Sequence, residues 1–286
     1  MTLPPEKQGL WLLAQDFAAG PVLSEAPVNH MIEKKNPPAE IVTVEPTSPP
    51  KPSSMMERMR GSQPMSAAPP KTDLPPARAP ATPIAVSPAT APVTMDLSHI
   101  TSLEDLRNVV HQFEDCTLKK TAMNTVFSDG NPNANVMVIG EAPGADEDRQ
   151  GKPFVGMSGQ LLDKFFKTIG LNRQENLYIT NVIPWRPPGN RPPTPFEISQ
   201  CLPFLHHHIR LAKPEMIVLV GGTSAKALLG PKTAITKLRG TWTSLTIPGV
   251  DAPIPTMPLY HPAYLLRSPG NKAKVWQDLL TLQERL

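Results

Sequence analysis

Short apolar runs alternate with amphipathic stretches from about residue 98 onward. The runs "NVMVIG", "NLYITNVI", "EMIVLVGG" and "IPTMPLYH" are short and mostly bounded by turn residues, which predicts buried strands. Between them the apolar positions recur with helical spacing. "SLEDLRNVVHQF" predicts a helix with Ser102 as N-cap and Asp105 at the capping-box position. "SGQLLDKFFKTIG" predicts one capped by Ser158 and stopped by Gly170. "TPFEISQCLPFLHHHIRLAK" reads as helical despite Pro203, "TSAKALLG" as a short helix, and "NKAKVWQDLLTLQERL" as the closing helix. Strands alternating with helices predict an α/β fold: a three-layer α/β/α sandwich with a central, mostly parallel sheet of about four strands. Ligands of such sheets bind beyond the carboxyl ends of the strands. The polar breaks after Ile139, Thr180 and Tyr260 are therefore expected on one rim.

The chain before this pattern is different. Residues 1–30 hold "KQGLWLLAQDFAAG", which predicts a short helix with Leu10, Leu13 and Phe17 on one face. That face either docks on a partner or the helix frays alone. Residues 31–97 are rich in Pro, Ala, Ser and Thr, and about half of the 37 prolines lie before residue 98. Such a composition buries too little apolar surface to offset ordering entropy, so a disordered linker is expected. The globular part is residues 98–286, enough for one core.

Composition narrows the setting only slightly. The net charge of +3 permits nucleic acid without demanding it. Two cysteines make no disulfide framework, no apolar run approaches the roughly 20 residues of a membrane span, and the N-terminus lacks signal-peptide features. A bacterial cytosolic protein, monomeric, with no membrane partner, is the expectation.

Three stretches carry candidate chemistry. "GEAPGADEDRQGKPFVG" looks like a phosphate loop, but it lacks a Gly-Lys-Ser/Thr ending and carries acids that repel phosphate. Its Phe154 is either part of a polar turn or a stacking platform. "YITNVIPWRPPGNRPP" places Asn181 at a strand end, where the amide either forms a turn or reads a base edge. Arg186, Asn190 and Arg191 beyond it make a stiff basic loop, for backbone contact or as a plain surface linker. "YHPAYLLRSPG" puts His261 behind a strand, and Leu265 and Leu266 in an apparent loop before Arg267. The two leucines are either core or a wedge into a base stack.

Together, GEAPG, GKPFVG, YITN, RPPGNR, ITKLRG and HPAYLLR resemble the family 4 uracil-DNA glycosylases, over about residues 113–284. The resemblance implies a hydrolase that removes uracil from DNA during base excision repair, on a deoxyuridine flipped out of the stack. It implies that Phe154 stacks on the flipped ring and that Asn181 reads its Watson–Crick edge. His261 donates to uracil O2, and Glu141 and Ala142 line the pocket with their backbone. Glu147 sits near the sugar, for water positioning or charge stabilisation, with Asp146 as the alternative acid. Lys152, Ser158, Arg191, Thr223, Ser224, Lys237, Arg239 and Arg267 are expected to contact the DNA backbone, with Leu265 and Leu266 as the wedge.

The sequence departs from the family pattern at the iron–sulfur site. Of four expected cysteines only Cys116 and Cys201 are present; Phe113 and Trp185 stand at the other two positions. Two thiolates do not make the usual four-cysteine site, so no cofactor is expected. Zinc held by these cysteines and His206 to His208 is disfavoured, because successive helical residues point apart. Two other functions are open: a uracil-DNA binding or cross-linking protein with little turnover, and a nucleotide-binding protein. The first needs a basic, His-containing insertion that is missing between Arg239 and His261, and the acidic loop speaks against the second.

Overall fold

The computed structural model describes residues 95–230 and 234–286. The expected N-terminal helix and nearly all of the linker lie outside the described residues. The elements run α1 (Leu103–Gln112), β1 (Asp129–Gly130), β2 (Val136–Gly140), α2 (Ala145–Gln150), α3 (Met157–Thr168), β3 (Leu177–Asn181) and α4 (Pro195–Ala212). They continue β4 (Met216–Val220), α5 (Gly222–Leu229), α6 (Ile235–Leu238), β5 (Thr243–Leu245), β6 (Ile254–Leu259), α7 (Pro262–Arg267) and α8 (Lys272–Gln283).

The sheet has six strands in the order β1-β3-β2-β4-β6-β5. The four inner strands pair in parallel and are the four apolar runs of the sequence. The edges β1 and β5 pair antiparallel and raise the expected four strands to six. Those two are only two and three residues long, too short to show a period of two.

Strand alternation divides the core. Val136, Val138, Ile179, Val218 and Leu259 point to one face, where α3, α7 and α8 cover them with Leu161, Phe165, Phe166, Leu265, Trp276 and Leu279. Met137, Ile139, Tyr178, Ile217 and Leu219 point to the other, under α1 and α4 with Val110, Phe204, Leu205 and Ile209. Every residue of β2, β3 and β4 is buried, as a sheet covered on both faces requires. Each large apolar side chain buried this way contributes about 1.5–3 kcal/mol before ordering entropy is counted.

Local signals explain most element ends. Ser102 caps α1 by accepting from the Asp105 N–H at 3.1 Å. Thr194 and Glu197 form a reciprocal capping box at the start of α4, and Pro195 takes the first position. Helix α4 does run through Pro203. Ser158 is not a cap: α3 begins one residue earlier, after Gly156.

Candidate active site

The parallel register aligns Gly140 with Asn181 and Val220 with Leu259, so the strands end together and their following residues form one rim. A cavity of about 430 Å³ opens there. Glu141, Ala142 and Glu147 line it after β2, Phe154 from the turn before α3, Ser158 from the first turn of α3, Asn181 from β3, and His261 and Arg267 from the start and end of α7. The three polar breaks of the sequence converge as expected.

Asn181 forms the buried floor. It is 6% exposed, and its Oδ1 has no hydrogen-bond partner. A buried acceptor left unpaired costs about 1–3 kcal/mol, which a ligand N–H would recover. Phe154 lies beside it with a left-handed backbone, φ 54°, rare for a residue with a side chain. Its ring faces the His261 imidazole, with centroids 5.8 Å apart.

His261 is the N-cap of α7, and its Nδ1 accepts the Ala263 N–H at 3.2 Å. The neutral ring therefore carries its proton on Nε2. Burial, aided by the Arg267 charge, pushes its pKa down to about 4, while Glu147 pulls weakly the other way. At neutral pH the pocket thus holds an uncharged donor.

The acidic stretch forms a helix, α2, where the sequence suggested a loop. Glu147 lines the cavity, but its carboxylate is engaged. Oε2 accepts the Gly144 N–H at 3.1 Å, and Oε1 accepts those of Val155 and Gly156 at 2.9 and 2.8 Å. It ties the GEAPG loop to the turn that carries Phe154. Asp148 is buried and accepts the N–H groups of Met123 and Asn124 at 2.8 and 3.0 Å. Asp146 pairs with Arg149 on the surface and is not among the cavity's lining residues. The carbonyl of Glu141 is also taken, by the Ile183 N–H at 3.1 Å.

A family model, the Uracil DNA glycosylase superfamily, matches residues 127–280. The chain belongs to the uracil DNA glycosylase superfamily. It is 38% identical over 181 residues to a Type-4 uracil-DNA glycosylase of Pyrobaculum aerophilum, covering 62% of this chain and 91% of the relative. A Type-4 enzyme of Sulfurisphaera tokodaii is 37% identical over 188 residues, 64% of this chain and 84% of the relative. A Type-4 enzyme of Thermotoga maritima is 39% identical over 160 residues, 56% of this chain and 80% of the relative.

Within this glycosylase fold, the residues expected to meet DNA spread further than the cavity. Arg191 lines the mouth, but its guanidinium lies on Glu197, with contacts of 2.9 and 2.6 Å that hold the Glu197 carboxyl down at about 2. Arg267 is exposed at the same mouth. Lys152 is exposed and 3.7 Å from Asp129. Thr223 and Lys237 lie on α5 and α6, away from the cavity. Two expectations need correction. Ser224 is fully buried, its hydroxyl donating to the Gly221 carbonyl at 3.1 Å, so it offers nothing to a phosphate. Leu265 is also fully buried in the core under α7, so it is no wedge; Leu266 packs partly against the same core. Arg239 is likewise committed, to Asp278 at 3.0 Å through Nε and at 2.5 Å through Nη2. The aromatic exposed on α7 beside the cavity is Tyr264, whose outward turn no local pattern in the sequence signals.

Aromatic packing surrounds the two cysteines that remain of the four expected. Trp185 is fully buried, stacked on Phe113 with centroids 6.1 Å apart, and its Nε1 donates to Thr125 Oγ1 at 3.0 Å. Phe113 also meets Phe204 edge-on at 4.9 Å. Cys201 hydrogen-bonds Cys116 and lowers that thiol to about 7. Among the described residues no group of three or more His, Cys, Asp or Glu is placed to hold a metal. The histidine triplet points apart: His207 meets the Ile100 carbonyl at 2.8 Å and His208 the Tyr178 hydroxyl at 2.8 Å. The residues present do not fit a four-cysteine cluster.

Proposed function

We infer that this chain is a uracil-DNA glycosylase that hydrolyses the N-glycosidic bond of a flipped-out deoxyuridine, leaving an abasic site for base excision repair. The observation that carries the reading is the buried Asn181 carboxamide with its unpaired Oδ1 at the cavity floor. Uracil offers a donor at N3 and an acceptor at O4, which one amide edge can match. Cytosine offers a donor at the exocyclic position and no proton at N3, so it leaves buried groups unpaired and is rejected.

Phe154 stacks on the base. His261 donates its Nε2 proton to O2 as negative charge grows on the leaving uracil, and a preformed neutral donor needs no reorganisation at that moment. Glu147 is held by three backbone N–H groups, so it acts as a fixed negative charge opposite the oxocarbenium-like sugar. It keeps about one acceptor site for a water. Arg191 and Arg267 at the mouth meet phosphates.

The protein works without an iron–sulfur cluster; supporting this, Phe113 and Trp185, at the two positions where the resemblance implies cysteines, stack on each other. Residues 98–286 form the catalytic domain of a cytosolic monomer. The test is single-turnover cleavage of a uracil-containing oligonucleotide, revealed by alkali. Cleavage that falls about 100-fold in Asn181→Ala supports the reading. A slow covalent adduct, or no reaction at all, overturns it.

A further inference from the structure

Phe154 keeps its left-handed φ of 54° because the chain is gripped on both sides of it. On one side are the Val155 and Gly156 N–H groups, bound by Glu147. On the other is Arg173, from the loop between α3 and β3. Its Nη1 donates to the Pro153 carbonyl at 2.8 Å, and its Nη2 to the Phe154 carbonyl. Arg173 is itself fixed: Nε donates to Asp163 at 2.8 Å and Nη1 to Asp129 at 3.0 Å, with the side chain 11% exposed.

We propose that Arg173 is a positioning residue for uracil excision, holding the Phe154 platform at the height and tilt that the flipped base requires. The proposal rests on the glycosylase reading above. Two acidic anchors orient the guanidinium plane, and its remaining donors reach two successive carbonyls. A planar fork does this, and a lysine ammonium, which is a point donor, does not. The fit leaves no slack. A Cβ on Gly159 would lie 1.8 Å from the Phe154 carbonyl oxygen, and one on Gly140 would lie 2.5 Å from the ring. The platform is thus pinned by a cation on the carbonyls of Pro153 and Phe154, an anion on the N–H groups of Val155 and Gly156, and glycine backbone close against it at Gly140 and Gly159. Arg173 touches neither base nor sugar, and its influence passes entirely through Phe154. A plain structural brace joining α3 to β1 would stabilise the fold to a similar degree, but its loss would not act through the platform.

The experiment uses the full chain with Arg173→Met, Arg173→Lys, Phe154→Ala and the Phe154→Ala/Arg173→Met pair. It measures single-turnover uracil excision below the unfolding temperature, and hydrogen exchange at Val155 and Gly156. Arg173→Met is expected to slow excision about 100-fold, the scale of a small misplacement at a reacting centre, with binding to uracil-free duplex unchanged. Arg173→Lys is expected to recover little of that loss. In the Phe154→Ala background, Arg173→Met is expected to change the rate by less than about twofold, because both changes remove one function. Exchange at Val155 and Gly156 is expected to quicken while β2 to β4 stay protected. Excision at the wild-type rate in Arg173→Met, or losses that add fully in the pair, would overturn the proposal. If Arg173→Met does not fold, Arg173→Lys carries the same comparisons. A wild-type chain that excises no uracil would refute the glycosylase reading instead, and unchanged exchange would then refute the clamp separately.

Discussion

A methyl group on Gly140 would come within 2.4 Å of Asn181 Oδ1 and 2.5 Å of the Phe154 ring. The bare backbone at the end of β2 is what lets the Asn181 amide and the Phe154 ring approach the same point. Gly140→Ala is expected to cost about 1–3 kcal/mol of stability through overpacking. It should also lower excision about 100-fold by displacing both groups. Thermal unfolding and single-turnover cleavage measure the two effects; unchanged cleavage would mean that the pocket yields at no cost.

His261 is expected to be neutral throughout the working range. Its pKa is pushed down to about 4 from 6.5, mainly by burial. An NMR titration of the imidazole should find its midpoint near the lower value. The cleavage rate should accordingly show no step at pH 6.5. His261→Asn, which lacks the Nε2 donor geometry, is expected to lose about 100- to 1000-fold in rate.

The two acids of the GEAPG region are expected to separate sharply. Glu147 accepts three backbone N–H groups, so Glu147→Gln turns one acceptor oxygen into a donor facing them. Stability should fall by about 1–3 kcal/mol, and excision should fall with it. Asp146 only pairs with Arg149 at the surface. Asp146→Asn should shift stability by less than about 1 kcal/mol and leave the rate nearly intact. Equal losses in the two variants would count against this division.

Purified protein is expected to contain no stoichiometric iron or acid-labile sulfide, and no visible absorbance of a cluster. The aromatic pair at Phe113 and Trp185 is expected to do structural work in its place. Trp185→Ala should cost about 3–5 kcal/mol, because a fully buried ring and its bond to Thr125 are lost together. Metal analysis and urea unfolding test the two statements.

Acid should unfold the protein early. Burial pushes His208 down to about 3 and His261 to about 4, and lowers His206 and His207 from 6.5 as well. In the unfolded chain all four take up protons near their ordinary value. Below pH 6.5 the unfolded state therefore binds more protons, and stability falls as pH falls toward 4. Asp278 opposes this, since burial raises its carboxyl to about 6 and favours the folded state on the acid side. Burial also raises the Asp163 carboxyl and lowers His111, so two carboxyls stand against five imidazoles and the net slope is downward. Urea midpoints between about pH 5 and 7 should show it, and a flat profile would contradict the burial of these rings.

The sequence by itself determined the α/β class, the four parallel strands and the rim on which the cavity opens. A strand covered on both faces has to be apolar throughout, and that leaves a visible run. Where each run stops, the first polar residues fall on the rim; the location of Asn181 and His261 at the cavity was legible for that reason. The edge strands β1 and β5 and the helices α2 and α7 were not legible, since elements of two to six residues carry no periodicity. Tertiary structure alone decided which way neighbouring side chains turn. It buried Leu265 and exposed Tyr264, though the two are adjacent in the chain. It gave Glu147 three N–H partners, two of them eight and nine residues further on. It brought Arg173 onto a carbonyl 19 residues before it. Contacts of this kind depend on how loops close over the sheet, and no local pattern of residues encodes that.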